Sequence, residues 1–295
     1  MNKKRKNMIS NITIYVILVT ISISMLLPFF WLISSSLKTR AELVARPPVL
    51  WPKNPQWNNY SKVIAEVPFL LYYNNSLIVS LSITICVTIT SAFAGFAFAK
   101  YNFRFKQLLF YFFLSTIMLP AFLFVIPEYF MFSRMPLIGG NNIFGQGGYG
   151  LLHSKLVLIL PFIVSSWGIF LARQFYIISI PDELLEAARI DGASELKIFI
   201  KLITPLSKPV LATIAIITFI TQWNYLFWPL IISISSPKLT TLPVGMKMLA
   251  MAFDPARNQQ LILAGLTFGI LPPSLIFILF QKYYVSGIGM TGLKG

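Results

Sequence analysis

The sequence predicts an all-α membrane protein with six transmembrane helices and a cytoplasmic helical segment between the fourth and the fifth. Three observations predict it. The 295 residues are 56% hydrophobic and only 11% charged, with a mean hydropathy of +0.74, against roughly 25% charged and 45–50% apolar in soluble domains. The apolar residues gather into six runs separated by short polar connections. Between the fourth and fifth runs stands PDELLEAARIDGASELKIFIKLITPLSKP, residues 181–209, an acid-bearing polar stretch in a chain that otherwise suits a bilayer.

Taken in order, residues 1–10 form a basic N-terminus in which Lys3, Lys4, Arg5 and Lys6 precede an apolar run from Ile12 to Ile33. That run is too long for the hydrophobic region of a signal peptide and no small-residue cleavage site follows it, so it reads as an uncleaved first span with its basic end in the cytoplasm. Residues 34–70 carry Pro47, Pro48, Pro52, Pro55 and Pro68 with Trp51 and Trp57, a composition that opposes regular helix and favours the membrane interface. The second span, Tyr72 to Ala99, repeats Ser91, Gly95 and Ala99 at every fourth residue, which lets helix backbones approach closely. A basic turn with Lys100, Arg104 and Lys106 leads to a third span over residues 107–127. Glu128 follows at its outer edge, read as a boundary residue near Arg134, or as a proton site.

Residues 136–150, PLIGGNNIFGQGGYG, are glycine-rich but lack the strand, helix and Gly-Lys-Ser/Thr context of a phosphate-binding loop. They read as a compact external turn. The fourth span covers Leu151 to Ile178, interrupted by Pro161 and Gly168, and the fifth covers Val210 to Ile232. Gln222, Trp223 and Asn224 fall in the middle of the fifth, where amides are costly unless paired; they either bond neighbouring helices or line a substrate pathway. Residues 233–259, with Pro237, Pro243, Asp254 and Arg257, read as an external loop. The sixth span, Leu261 to Phe280, is bent at Pro272 and Pro273. The organisation is thus a cytoplasmic N-terminus (1–10), a transmembrane domain (11–284, with 181–209 inside it) and a cytoplasmic C-terminal tail (285–295).

Several function classes are excluded. The net charge of +15 comes from Lys and Arg scattered through short connections, as orientation toward anionic lipid requires, with no basic stripe interleaved with aromatics for nucleic acid. The single Cys86 and single His153 make neither a metal site nor a nucleophile–base pair. An intramembrane hydrolase therefore lacks its machinery. The alternative that stays open is an ion-coupled secondary transporter using Glu128 or the Gln222–Asn224 cluster; such carriers need ionisable groups near the midplane, and none of the nine acids clearly falls there.

Within 181–209, Ser179 and Asp182 fit a capping box, Pro181 suits a first turn, and Asp182 with Glu183 complements a helix N-terminus. Leu184, Ala187 and Ala188 share a small apolar face opposite Glu183, Glu186 and Arg189. Gly192 can adopt the left-handed conformation that closes a helix, Ser194 and Glu195 can open a second, and Pro205 and Pro209 reset the chain for the fifth span. A short rigid helix pair held between two spans is suited to transmit force.

These residues resemble the EAA loop of ATP-binding-cassette importer permeases: Glu-Ala-Ala, three residues, Gly, nine residues, then an Ile-x-Leu-Pro-like end. Glu186, Ala187, Ala188, Gly192 and Pro205 match at that spacing, while Leu202 and Thr204 stand where the pattern favours Ile and Leu. The likeness narrows to MalG-type carbohydrate permeases through LLPFFWLISSSLKT, PLIGGNNIFGQGGYGLL, EAARIDGAS, QWNYLFWPLI, LTTLPVG and KYYVSGIGMTGLKG. The resemblance implies a non-catalytic subunit of the bacterial cytoplasmic membrane, working with a MalF-like second permease, two cytoplasmic ATPases that use ATP and Mg, and an extracytoplasmic binding protein that delivers a sugar. It binds no cofactor itself. It further implies an ATPase-coupling set of Glu186, Ala187, Ala188, Asp191, Gly192 and Pro205, and a tail with Lys294 and Gly295 inserted between the ATPases.

Overall fold

The computed structural model describes residues 3–252 and 255–289, and every regular element among them is helical. In chain order these are α1 (Lys3–Ser36), α2 (Arg40–Val44), α3 (Asn58–Glu66), α4 (Phe69–Lys100), α5 (Lys106–Ile117), α6 (Val125–Ser133), α7 (Leu156–Ile159) and α8 (Ser166–Ser179). There follow α9 (Asp182–Ile190), α10 (Glu195–Ile198), α11 (Thr204–Leu206), α12 (Lys208–Trp223), α13 (Phe227–Ser235), α14 (Leu242–Ala252) and α15 (Pro255–Gly289). Tight 3₁₀ turns occupy Ala121–Phe124, Leu160–Phe162 and Pro237–Leu239, and a π turn occupies Phe199–Ile203.

Three stretches are long and apolar enough to cross a membrane as single helices: Asn11–Ser36, Phe69–Lys100 and Asn258–Gln281. Three more crossings arise if bent pairs count as one span each: Lys106–Ile117 with Ala121–Ser133 (95°), Leu156–Phe162 with Ser166–Ser179 (42°), and Glu195–Leu206 with Lys208–Trp223 (77°). The third expected span is therefore not continuous. Its helix stops at Met118, where Met118 N bonds Ser115 O and Leu119 N bonds Thr116 O, and Pro120 has no N–H with which to continue it. The fifth also breaks, at Asn224–Leu226, between α12 and α13.

Packing divides the chain into two units, residues 1–69 with 246–271 and residues 70–245 with 272–295. In the first, the apolar side chains of α1 from Ile12 to Phe30 are exposed all round, as expected of a helix whose solvent is hydrocarbon. The connection after α1 is more ordered than its prolines suggested. Thr39 and Glu42 form a reciprocal capping box on α2, and the Glu42 carboxylate also accepts from Lys53 N at 3.0 Å. Those backbone donors at Thr39 and Lys53 hold its carboxyl below the usual range. Asn59 Nδ2 on α3 donates to Ser36 O (2.8 Å) and Lys38 O (3.2 Å), closing the corner at the end of α1. Lys38 is buried with its ammonium 3.9 Å from the centre of the Trp31 ring. Tyr60 and Phe69 both pack on Phe268 of α15, with ring centroids 5.2 and 4.9 Å apart.

In the second unit α4 supplies the small-residue stripe. A Cβ on Gly95 would stand 2.6 Å from Ala172 Cβ, and one on Gly168 would strike the Ser91 side chain, so α4 and α8 meet nearly backbone to backbone, as the spacing of Ser91, Gly95 and Ala99 predicts. Residues 136–150 form the expected compact turn. Asn141 Nδ2 donates to Ser133 O (2.9 Å) and Met135 O (3.0 Å) while its Oδ1 accepts from Gly148 N (2.8 Å). Side chains on Gly139, Gly145 or Gly150 would collide with neighbouring backbone.

The expected external loop at 233–259 is, over its described part, not an open loop. It continues from α13 through the Pro237 turn into α14, and Leu239, Thr240, Thr241, Leu242 and Val244 are buried. Pro237 and Pro243 stand in first-turn positions, where proline starts a helix instead of stopping one. Asn75 Nδ2 donates to Lys238 O and Thr240 O, both at 2.9 Å, and Ser76 Oγ accepts from Leu242 N at 2.8 Å, so α4 clamps this turn. Asp254 and the side chain of Arg257 lie outside the described residues.

Candidate functional site

Two places in the second unit concentrate polar chemistry: the helix pair within 181–209, and a cavity where the bent helices break. The first begins at Ile180, which is extended (φ −116°, ψ 105°) as the residue before proline must be. Pro181 is the N-cap of α9, and no side chain caps the helix. The expected Ser179 capping box does not form, because Ser179 is the last residue of α8. The corner is held from outside instead. Lys100, at the end of α4, donates to Ile180 O at 2.5 Å and to Asp182 Oδ1 at 2.6 Å. Its side chain is 6% exposed and that of Asp182 74%, so a sheltered ammonium grips a carboxylate at the surface.

α9 ends on a Schellman motif. Ala193 N bonds Ala188 O and Gly192 N bonds Arg189 O, both at 3.0 Å, with Gly192 at φ +77°. Nothing lies within 4 Å of a Cβ built there, so glycine is required by conformation and not by space. Ser194 is then extended and Glu195 opens α10, as expected, though the Ser194 side chain makes no capping bond. Arg189 Nε donates to Glu195 Oε1 at 2.7 Å, and the Tyr101 hydroxyl donates to Glu195 Oε2. The bond from Arg189, then that from Tyr101, hold the Glu195 carboxyl below its usual range. Burial, reinforced by Glu195, pushes the Tyr101 phenol up. Tyr101 is thus a donor to a charged acceptor. Lys100 and Tyr101 together fasten both helices to the end of α4, a role the sequence did not reveal.

Leu185 is the one buried residue of α9, at 2% exposure, and Ile198, Phe199 and Ile203 anchor the next turns. Each such side chain stabilises by about 1.5–3 kcal/mol. Phe199 stacks on Phe93 with centroids 4.3 Å apart. The open face of α9 consists of Glu183, Glu186, Ala187 and Ile190, the last 86% exposed. This amends the expected division into faces: of Leu184, Ala187 and Ala188 only Ala187 is open, while the other two are half-buried. Asp191 is the C-cap of α9 and is exposed. At the far end Pro205 lacks an N–H for Lys201 O, and the chain passes through the π turn, with Thr204 N bonded to Phe199 O, before the 77° bend into α12. Lys294 and Gly295 lie outside the described residues.

The cavity, of about 330 Å³, lies where three helix breaks meet: 118–120, 163–165 and 224–226. Glu128 lines it with Thr116, Ser166, Trp167 and Tyr225. Thr116 and Ser166 share a hydrogen bond at 2.8 Å, and Tyr225 sets its ring edge-on to Phe162 at 5.2 Å. The Glu128 carboxyl forms no ion pair or hydrogen bond among the described residues; Arg134 lies instead over the Phe130 ring, 5.3 Å from its centre. A second cavity of about 420 Å³ shares Phe162, Val164, Ser165 and Trp167 with the first and is lined further on by Gln222, Thr221 and Thr218. Of the cluster singled out in the sequence, Gln222 reaches a cavity, Trp223 is buried against Phe219 and Tyr73, and Asn224 turns back to Ile220 O at 2.8 Å.

A helical membrane protein with broken spans, a lined cavity and a polar helix pair clamped between two spans has the build of a transport permease. The chain belongs to the family of binding-protein-dependent transport system inner membrane components, whose model matches residues 88–289. The arabinooligosaccharides transport system permease protein AraQ of Bacillus subtilis (strain 168) is 32% identical over 278 residues, 93% of this chain and 92% of that protein. The sn-glycerol-3-phosphate transport system permease protein UgpE of Pectobacterium atrosepticum is 30% identical, covering 93% and 94%. The sulfoquinovosyl glycerol transport system permease protein SmoH of Agrobacterium fabrum is 31% identical, covering 92% and 89%. A crystal structure of a bacterial ABC transporter involved in importing the acidic polysaccharide alginate contains a chain of the same fold, with a TM-score of 0.72, 24% identity, and 95% and 98% coverage.

Proposed function

We propose that this permease forms half of the membrane pathway of a saccharide importer, and that α9 with α10 is its coupling element. In this reading the chain crosses the membrane six times with both termini in the cytoplasm, 1–10 and 285–295 forming tails and 181–209 lying on the same side. A second, MalF-like permease completes the pathway, two ATPases supply ATP-driven force, and an extracytoplasmic binding protein delivers the sugar. The chain itself performs no chemistry and holds no cofactor; ATP and Mg belong to its partners.

The observation that carries this reading is the double fastening of the helix pair to the end of α4 through Lys100–Asp182 and Tyr101–Glu195. A load on the open face of α9 passes to α4 through polar contacts and to α12 through the backbone. Glu186, Ala187 and Ile190 meet the ATPase, Gly192 and Asp191 keep the two helices at a fixed angle, and Pro205 directs the chain into the pathway. ATPase closure then biases inward-facing permease toward an outward-facing state. Lys294 and Gly295 are assigned to the ATPase-contacting tail by likeness to the MalG type, and Gln222, Trp223 and Asn224 to the neighbourhood of the substrate pathway.

The test is binding-protein-stimulated ATP turnover of the complete complex in proteoliposomes. Glu186→Lys and Gly192→Val are each expected to lower stimulation at least about tenfold, the effect of roughly 1.4 kcal/mol at an interface. Unchanged stimulation in both overturns the coupling role.

A further inference from the structure

Among the described residues, the cavity at the three helix breaks is lined by one carboxyl and no base. Among those same described residues Glu128 faces it without an ion pair or hydrogen bond, and no Lys, Arg or His lines either that cavity or the one adjoining it. Hydroxyl and amide groups surround the carboxyl: Thr116, Ser166 and Tyr225 on its own side, Gln222 and Thr221 across the shared wall. The Trp167 ring borders both cavities and packs on no other aromatic ring among the described residues. The first cavity's volume, about 330 Å³, falls at the lower end of the roughly 300–1,000 Å³ typical of small-molecule sites.

We propose that this paired cavity is a saccharide site within this chain, selective for neutral over anionic ligands, with Glu128 accepting from ligand hydroxyls and Trp167 supplying a stacking face. The proposal rests on the importer reading and deepens it. A carboxylate is acceptor-only and matches paired hydroxyls of a sugar, while an amphipathic ring matches the sugar's apolar C–H face. A phosphate or sulfonate entering the same space would find no cation and one like charge, an arrangement that disfavours it strongly in a poorly solvated site.

Binding to the assembled complex of both permeases and both ATPases, with the binding protein omitted, is measured by saturation-transfer NMR using arabinotriose, maltotriose and sn-glycerol 3-phosphate. The two neutral saccharides are expected to bind and the phosphate ester not to. Glu128→Gln and Trp167→Leu each weaken saccharide binding about tenfold, the loss of one charge-assisted bond or one ring contact. The exposed Glu66→Gln leaves it unchanged. Thermal unfolding of each variant confirms that it is folded. Binding by either folded cavity variant at the level of the unaltered chain, or equal binding of the phosphate ester, overturns the site. An unaltered complex that turns over ATP on adding loaded binding protein, yet binds neither saccharide, overturns the site alone; one without stimulated turnover overturns the importer reading and the site together.

Discussion

Glu195 receives a guanidinium and a phenol, and the titrations of its own carboxyl and of the Tyr101 phenol bound the pH range over which α10 stays fastened. The folded carboxyl lies below its unfolded value, so its contribution is fully present above the ordinary value near 4.3 and disappears as pH falls through the depressed folded value. The Tyr101 phenol lies above its ordinary value, so its contribution holds below about 10 and disappears as pH rises further. The contact therefore persists at neutral pH. Because Arg189 and Glu195 are half exposed, Glu195→Gln should cost no more than about 1 kcal/mol and flatten the acid limb of the thermal midpoint between about pH 5 and 3. A midpoint with the same acid limb in both proteins would show that the contact contributes nothing. Gly192→Val should cost about 1–2 kcal/mol from the positive φ alone, with Gly192→Asn milder, as thermal unfolding in detergent will show. Gly192 was legible because left-handed glycine leaves a local signature. Lys100 and Tyr101 were not, since their partners are 82 and 94 residues away.

At the scale of elements, the packing of α4 on α8 tolerates no added volume. Gly95→Val introduces methyl groups where a Cβ alone already stands 2.6 Å from Ala172 Cβ, and the overpacking should cost about 1–3 kcal/mol. Gly148→Ala in the turn at 136–150 also meets backbone, but Gly95→Val should spoil yield and unfolding midpoint while acting on two spans at once. An unaltered midpoint would mean that the helices separate easily. The fourfold spacing of Ser91, Gly95 and Ala99 made this contact readable from residue order alone. Pro120 and the polar residues Gln222 and Asn224 stand at the breaks at 118–120 and 224–226, but none of them says by itself how far the chain then turns. Pro237 and Pro243 misled for the opposite reason: a proline signals a helix start as readily as a stop, and burial by Asn75 and Ser76 from α4 decided which.

For the molecule as a whole, composition settled the solvent and the spacing of Glu186, Ala187, Ala188, Gly192 and Pro205 pointed to the family, while the cavity emerged only in three dimensions. Its lining joins residues 116–128, 161–167 and 225–228, segments whose individual sequences look like unremarkable span ends. The turn at 136–150 has a practical consequence for handling the protein. Its two ends are tied by Leu151 N to Phe132 O at 2.9 Å, and its glycines serve close backbone contact, so the stretch is a knot and not a tether. A protease should find little slack in it despite its composition. An affinity tag or fluorophore site belongs at Ile143 or Phe144, whose side chains project freely, whereas one placed at Gly139 or Gly150 would untie the loop.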